Sequence, residues 1–538
     1  MKLYNNIIID ESNFPPKDIN NKDLKCLRVP YLEEKPDVIN ISVGRQLFVD
    51  NFLIKSTNLT SVEHRPTQYE NNPIFAPETP WEKGEVTHYY EHVRPSSAIL
   101  FSGGMWYDGT KNKFRMWYQA GFHGSMAYAE SDDGIHFTKE NYTVYGDTNI
   151  VLPRGGVWLD TNAVILNHYP ENAEKNEYLM SIYVRPYEVE RTGVYIYSSV
   201  DGIHWTFETL TGAKGFDEFN GCDDTSNISY NPFRKKWVYS VKHNCPPLWR
   251  ARHYAEGDTL VDARDMENKV FWQKADERDI PDKETGLTPQ LYVLNSIAYE
   301  SVMLGAFDIW KGPENWDCIK AANPKITEIH LGFSRDGFNY SRQEDRTAFL
   351  GCSRDKSKWD NGYVHASNTI CLIVGDELWF YYTAFKGDET LKGETDETNG
   401  MYAGGAVGIA KLRRDGFVSL SGSGFVETEN LEFDGKYLFV NTNSENFTCE
   451  VCDENGNVIS GFEKENCIAF SGDSCKQQLS WKDKKDLSEL HNKIIRLKFY
   501  QTSGDFYAFW ISKYETGESE GYLAGGEVGK TTLCDTKE

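Results

Sequence analysis

Positive charge is scarce in this chain: 57 Lys and Arg stand against 81 Asp and Glu over 538 residues, a net charge of −24. A partner with a phosphate backbone or an anionic membrane surface needs a basic footprint, so neither is expected. Long apolar runs are missing as well. No stretch reaches the roughly 18 apolar residues of a membrane span. Met1–Phe14 lacks the basic region and apolar run of a secretory signal, which makes a cytoplasmic location the expectation. Cysteine is sparse and odd in number: eleven residues scattered from Cys26 to Cys534 do not form a disulfide framework. Cys449 and Cys452 make one C-x-x-C, but in a strand their side chains point to opposite faces, which is wrong for a metal clamp.

What the chain has in abundance is aromatic residues, at 14%, punctuated by 44 glycines. Aromatic and β-branched runs broken by Gly, Asn and Asp read as strands and turns. The turns repeat. AESDDGIHF at 129–137, SSVDGIHW at 198–205 and FSRDGFNY at 333–340 share an apolar strand, an Asp-Gly turn and a second apolar stretch, and LRRDGFV at 412–418 is similar. Asp-Gly suits a tight hairpin because Gly tolerates positive φ. Asp133 to Asp201 spans 68 residues and Asp201 to Asp336 spans 135, about twice as many, which places a degenerate unit near Arg252–Trp272. Asp415 follows 79 residues after Asp336, making five units.

Ahead of each turn lies one strand (FRMWYQA, YLMSIYV, KWVYSVK, VMLGAFDIW, LWFYYTAF), and before it a strand with polar flanks (RPSSAILF, DTNAVIL, DTSNISY, LNSIAYE, HASNTICLI). Four strands per unit, five times over, predict an all-β chain: a five-bladed β-propeller over 44–423. A C-terminal β-sandwich is expected at 424–512, an N-terminal extension at 1–43 and a loose tail at 513–538. QLFVDNFLI at 46–54 reads as a strand that closes or caps the ring.

In such a ring the first strand of each unit lines the axis, so its polar residues converge on one ligand. That ranks Glu91 and Arg94, Asp160 and Asn162, Asp223 and Asp224, Tyr299 and Glu300, and His365 as candidates. Trp158 and Trp249 are candidate platforms for the C–H faces of a sugar. Carboxylates brought together from different units are what glycosidic-bond chemistry requires, one to protonate the leaving oxygen and another to attack or activate water. The Asp-Gly aspartates are expected to be structural.

The NNPIFAP-x-x-PWE run at 71–82, followed by MWYQA and AESDDGIHF, resembles the opening of the five-bladed glycoside-active propellers of glycoside hydrolase families 32, 43 and 130. LFVD at 47–50, GIAKLRRDGFVSL at 408–420 and FDGKYLFVN at 433–441 resemble microbial family-32-like glycosidases most. The resemblance implies a catalytic aspartate in the first blade, a second in the second blade and a glutamate acid in the third. Asp160 matches the second by blade and strand. The first blade offers only Glu91 or the earlier Asp50, the third has Asp223 and Asp224 instead of a glutamate, and a glutamate appears in the fourth as Glu300. The W-M-N-D-P signature of family 32 is absent.

The expected activity is therefore hydrolysis of a glycosidic bond in an oligosaccharide, with Asp160, Asp224 and Glu300 as the carboxylates. Glu91, Arg94, Asn162, Asp223, Tyr299, His365 and Trp158 would bind substrate, with no cofactor required and an axial divalent metal left open. An inverting phosphorylase, a metal-dependent amino-sugar deacylase and a non-catalytic sugar-binding module are the alternatives.

Overall fold

The computed structural model describes residues 1–84, 95–170, 177–186, 191–212, 222–261, 268–395 and 398–537. The described chain is nearly all β. Its two α-helices are short, Pro30–Glu33 and Asn315–Ala321, and no described helix is long and apolar enough to cross a membrane.

Strands expected from the repeat occur where the apolar runs lie. Ala98–Asp108, Lys113–Ala120, Ser125–Ser131 and Ile150–Leu152 form an antiparallel meander. Trp158–Leu166, Tyr178–Arg185, Gly193–Ser199 and Thr206–Thr211 form a second. The two join through a short parallel contact between their first strands, Asn162 with Ser102 and Ala163 with Gly103. Asn227–Asn231, Lys236–Cys245, Trp249–Gly257 and Val270–Gln273 make a separate four-stranded sheet. Gln290–Glu300, Val302–Trp310 and Thr327–Ser334 lead the next, and Gly362–Ala366, Glu377–Phe385 and Gly405–Arg413 the one after.

The Asp-Gly turns have a shared construction. Asp133 Oδ1 accepts from the backbone N–H of Ile135 and His136, both at 2.8 Å. Asp201 does the same with Ile203 and His204, and Asp336 with Phe338 and Asn339. In each, a serine two residues earlier donates to the aspartate and caps the following glycine N–H. Gly134, Gly202 and Gly337 take φ of 75°, 77° and 77°. These turns are also docking points. The indole of Trp117 donates to Gly202 O, that of Trp272 to Phe338 O, and the hydroxyl of Tyr381, near the end of the repeat, donates to Gly134 O in the first turn. Asp415 differs: it is buried and accepts from Arg45, Tyr299 and Asn441.

Three expectations about the ends of the chain need correction. Gln46–Ile54 does not close the repeat. Gln46–Leu47 pairs with Ala508 and Phe509 in the C-terminal sheet, and Thr67–Gln68 instead adds the edge strand to Gly405–Arg413. The reason is burial: Leu47, Phe48, Phe52 and Leu53 are all buried apolar residues, whereas Thr67 and Gln68 suit an exposed edge. The first 43 residues are not a separate extension, since Leu3, Ile7, Ile9, Tyr31, Ile39 and Ile41 share a core with the C-terminal strands. Residues 513–537 are not loose. Tyr522–Leu523 pairs with Tyr299–Glu300, and Leu523, Ala524 and Leu533 join the largest core.

Candidate functional site at the converging strand ends

Antiparallel order brings the start of each first strand, the end of each second strand and the start of each third strand to one side of the molecule. There they enclose a cavity of about 170 Å³. Asp160 enters from the start of Trp158–Leu166, Arg185 from the end of Tyr178–Arg185, and Asp223 and Asp224 from the segment before Asn227. Lys242 and Asn244 come from the end of Lys236–Cys245, Arg250 from the start of Trp249–Gly257, and Tyr292 from the start of Gln290–Glu300. Phe101, Phe122, Tyr363 and Tyr402 complete an aromatic wall, with Phe122 and Tyr402 stacked at 3.9 Å.

Arg185 is the keystone. Its Nη2 donates to Asp160 Oδ2 at 2.6 Å and to Asp224 Oδ2 at 2.8 Å. Because one nitrogen serves both, the two accepting oxygens are no further apart than the sum of those distances. That limit lies near the roughly 5–5.5 Å between paired carboxyl groups of which one attacks the anomeric carbon and the other protonates the glycosidic oxygen. Asp160 sits in a β-bulge, where the register with Tyr178–Arg185 shifts between Leu159 and Asn162, and the bulge turns its side chain into the cavity. Its Oδ1 accepts from the Thr161 N–H at 2.8 Å, and His123 Nε2 lies 3.4 Å from Oδ2. Asp224 also pairs with Lys242, whose ammonium is 3.4 Å from Asp223.

Burial alone would push the Asp160 and Asp224 carboxyls up, but their cations outweigh it. Arg185 and then His123 hold Asp160 below the usual carboxylate range, and Lys242 and Arg185 hold Asp224 far below it. Burial would lower the Lys242 ammonium, yet Asp224 and Asp223 raise it. Asp160 and Asp224 are therefore ionised while Arg185 and Lys242 stay in place. Underneath, fully buried Arg252 donates to Thr225 O at 2.8 Å, Ser240 O at 2.7 Å and Tyr292 O at 3.1 Å. It ties three strands together beneath the carboxylates, and burial lowers its pKa to about 9.

The expected site residues divide. Asp160, Asp223 and Asp224 meet in the cavity. Trp158 lies beside it, its ring stacked on His123 with centroids 6.1 Å apart. Asn162 is buried one layer inward and donates to Leu100 O. His365 sits behind the aromatic wall: its Nδ1 is 3.0 Å from Asp308 Oδ2 and its ring is 4.3 Å from that of Tyr363. It supports the wall and does not line it.

Glu300 and Tyr299 are not at this site. They end the strand that Tyr292 begins, and at about 3.3 Å per residue Glu300 lies roughly 26 Å from it. The expected convergence of Asp160, Asp224 and Glu300 on one hollow is overturned. An eleven-residue strand crosses the whole sheet, so only one of its ends reaches the cavity. Glu300 faces Arg45 and Arg414, each at 3.4 Å, and accepts from Ser519 at 2.7 Å. Glu91 and Arg94 fall outside the described residues.

The sequence reading missed Arg185, Lys242, Arg250, Lys325 and His123. A usable signal was present, because Arg185 and Lys242 close the second apolar runs, YLMSIYV and KWVYSVK. In an antiparallel meander those ends share a rim with the starts of the first strands.

No protein-family model matches the chain, and no curated protein does. Among solved structures it is similar to an N-acetylgalactosamine deacetylase from F. plautii in complex with blood group B trisaccharide, at 12% identity over 66% of this chain and 95% of that one, TM-score 0.41. It is also similar to a family-32 β-fructofuranosidase of Bombyx mori, at 9% identity over 82% of this chain and 94% of that one, TM-score 0.37. A thermostable family-43 glycoside hydrolase aligns at 11% identity over 60% of this chain and 92% of that one, TM-score 0.39.

Proposed function

We propose that the chain is a carbohydrate-active enzyme, a five-bladed β-propeller joined to a β-sandwich, that hydrolyses the glycosidic bond of a terminal sugar unit in an oligosaccharide. The ring is supported by the five-fold repeat and by the contact from Tyr381 back to the first turn at Gly134. The activity reading rests on one observation: Asp160, in the strand Trp158–Leu166, and Asp224, in the segment before Asn227, share Arg185 Nη2 in a polar cavity with aromatic walls. A cavity of about 170 Å³ suits one ring-sized unit, which is why the bond to a terminal unit is favoured.

The chemistry follows from like charges. Sugar hydroxyls entering the cavity compete for Arg185, whose side chain is 29% exposed and free to yield. Two carboxylates that lose their shared cation at such a separation cannot both stay ionised, so one takes up a proton. Asp224 keeps Lys242 and remains the anion, fit to attack or to activate water. Asp160 then becomes the acid for the leaving oxygen, with His123 beside it to return the proton.

A panel of aryl glycosides and short oligosaccharides tests this. The expected result is turnover of at least one member that is lost in Asp160→Asn and Asp224→Asn, each with an unchanged circular dichroism spectrum. Full activity in either variant would remove the assignment.

A further inference from the structure

Four cations line the cavity and only three carboxylates. Arg185 and Lys242 are taken up by Asp160, Asp223 and Asp224. Lys325 and Arg250 are not. Lys325 is only 2% exposed, and among the described residues it makes no ion pair and its ammonium donates no hydrogen bond. Its Nζ lies over the rings of Tyr363 at 4.9 Å, Tyr292 at 5.3 Å and Tyr402 at 5.7 Å. Arg250 spends Nη1 on Gln290 Oε1 at 2.7 Å and packs over Trp310 at 4.7 Å, and among the described residues it meets no carboxylate.

A buried ammonium is costly without a counter-charge, and ring faces replace only part of what water supplied. A chain of net charge −24 has acidic side chains in excess, yet none among the described residues meets this lysine at bonding distance. The missing counter-charge is the space in front of Lys325, which is the cavity itself.

We propose that Lys325 and Arg250 form an oxyanion subsite inside the cavity, taking a carboxylate or phosphate group next to the sugar held by Asp160 and Asp224. This rests on the cavity being the carbohydrate site. The oxyanion has two sources: an acidic substituent on the sugar, or inorganic phosphate that enters as a second reactant. Lys325 supplies a point charge and Arg250 a second donor through Nε and Nη2. Lys325 also acts on Asp224, whose low pKa it helps to maintain, so an anion bound there sits beside the reacting carboxylates.

Isothermal titration at fixed ionic strength, with inorganic phosphate, glucuronate and glucose as separate probes, tests the subsite on the intact chain. Binding of phosphate, glucuronate or both is expected, weakened about tenfold or more in Lys325→Met and in Arg250→Gln, while glucose binding changes little. Phosphate alone identifies a second reactant, and glucuronate alone identifies an acidic sugar. Asp224→Asn separates this inference from the catalytic one, because it should retain anion binding whether or not turnover is lost. Absence of both anions from the wild-type site, or equal anion affinity in the two variants with folding intact, overturns the subsite.

Discussion

At the scale of single residues, the cavity depends on arginines holding carboxylates that repel one another. Removing the Arg185 guanidinium takes away the cation that Asp160 and Asp224 share, leaving Lys242 to Asp224 and only His123 beside Asp160, which is almost wholly buried. Arg185→Met should therefore raise the Asp160 carboxyl pKa, because its largest favourable charge is gone and burial is left to act. The alkaline limb of the pH–rate profile, where a general acid loses its proton, would move up in pH, and an unmoved limb would show that Asp160 is not the titrating acid. Arg252 is a positioning residue. Arg252→Met would take a donor from the carbonyls of Thr225, Ser240 and Tyr292, the last keeping the Thr225 hydroxyl at 3.0 Å, at about 1–3 kcal/mol for each one left unsatisfied, so thermal denaturation should show a loss of stability. Few of these roles were legible beforehand. Asp160, Asp223 and Asp224 could be read from their place at the starts of polar-flanked strands, but a lone Arg or Lys at a strand end looks the same whether it faces solvent or a ligand.

At the scale of elements, the Asp-Gly hairpins were the most legible feature, since Asp, Gly and the preceding Ser each do something local. What the local pattern could not show is that these turns receive an indole or phenol from another strand group. Gly202 shows both demands together: φ is 77°, and an added Cβ would meet the Trp117 ring at 2.5 Å. Gly202→Ala should cost about 1–3 kcal/mol through backbone strain and the displaced ring, read as a lowered melting temperature. Gly156, also at positive φ but with nothing within 4 Å, should show the strain alone and a smaller loss.

At the scale of the whole molecule, the N-terminal segment, the repeat and the C-terminal segment meet around Glu300. Four carboxylates (Glu300, Asp415, Glu527 and Asp535) share Arg45, Arg414 and Lys530. Burial first, then Asp415 and Asp535, raise Glu300 to about 7 against the pull of the two arginines. A carboxyl raised in the folded state contributes stability that is complete below its unfolded pKa of 4.5 and is lost as pH rises through about 7. The melting temperature should therefore fall between pH 5 and 8 more steeply for the wild type than for Glu300→Gln, and parallel curves would remove Glu300 as the cause. Ending the chain at Ser512 should be destabilising. It uncovers the Tyr299–Glu300 edge and removes Leu523 and Leu533 from the core, at roughly 1.5–3 kcal/mol for each large buried side chain.

The sequence by itself determined the strands, the turns and the repeat, because β-branched and aromatic content and Asp-Gly chemistry act over a few residues. It also determined that acidic side chains recur at strand starts. Tertiary structure alone decided which end of each strand faces the cavity, and so placed Asp160 and Asp224 on a shared arginine and sent Glu300 to the opposite end of its strand. The same holds for the chain termini. Whether Gln46–Leu47, Thr67–Gln68 or Tyr522–Leu523 completes a given sheet depends on an edge hundreds of residues away, and short edge strands carry too little pattern to name their partners.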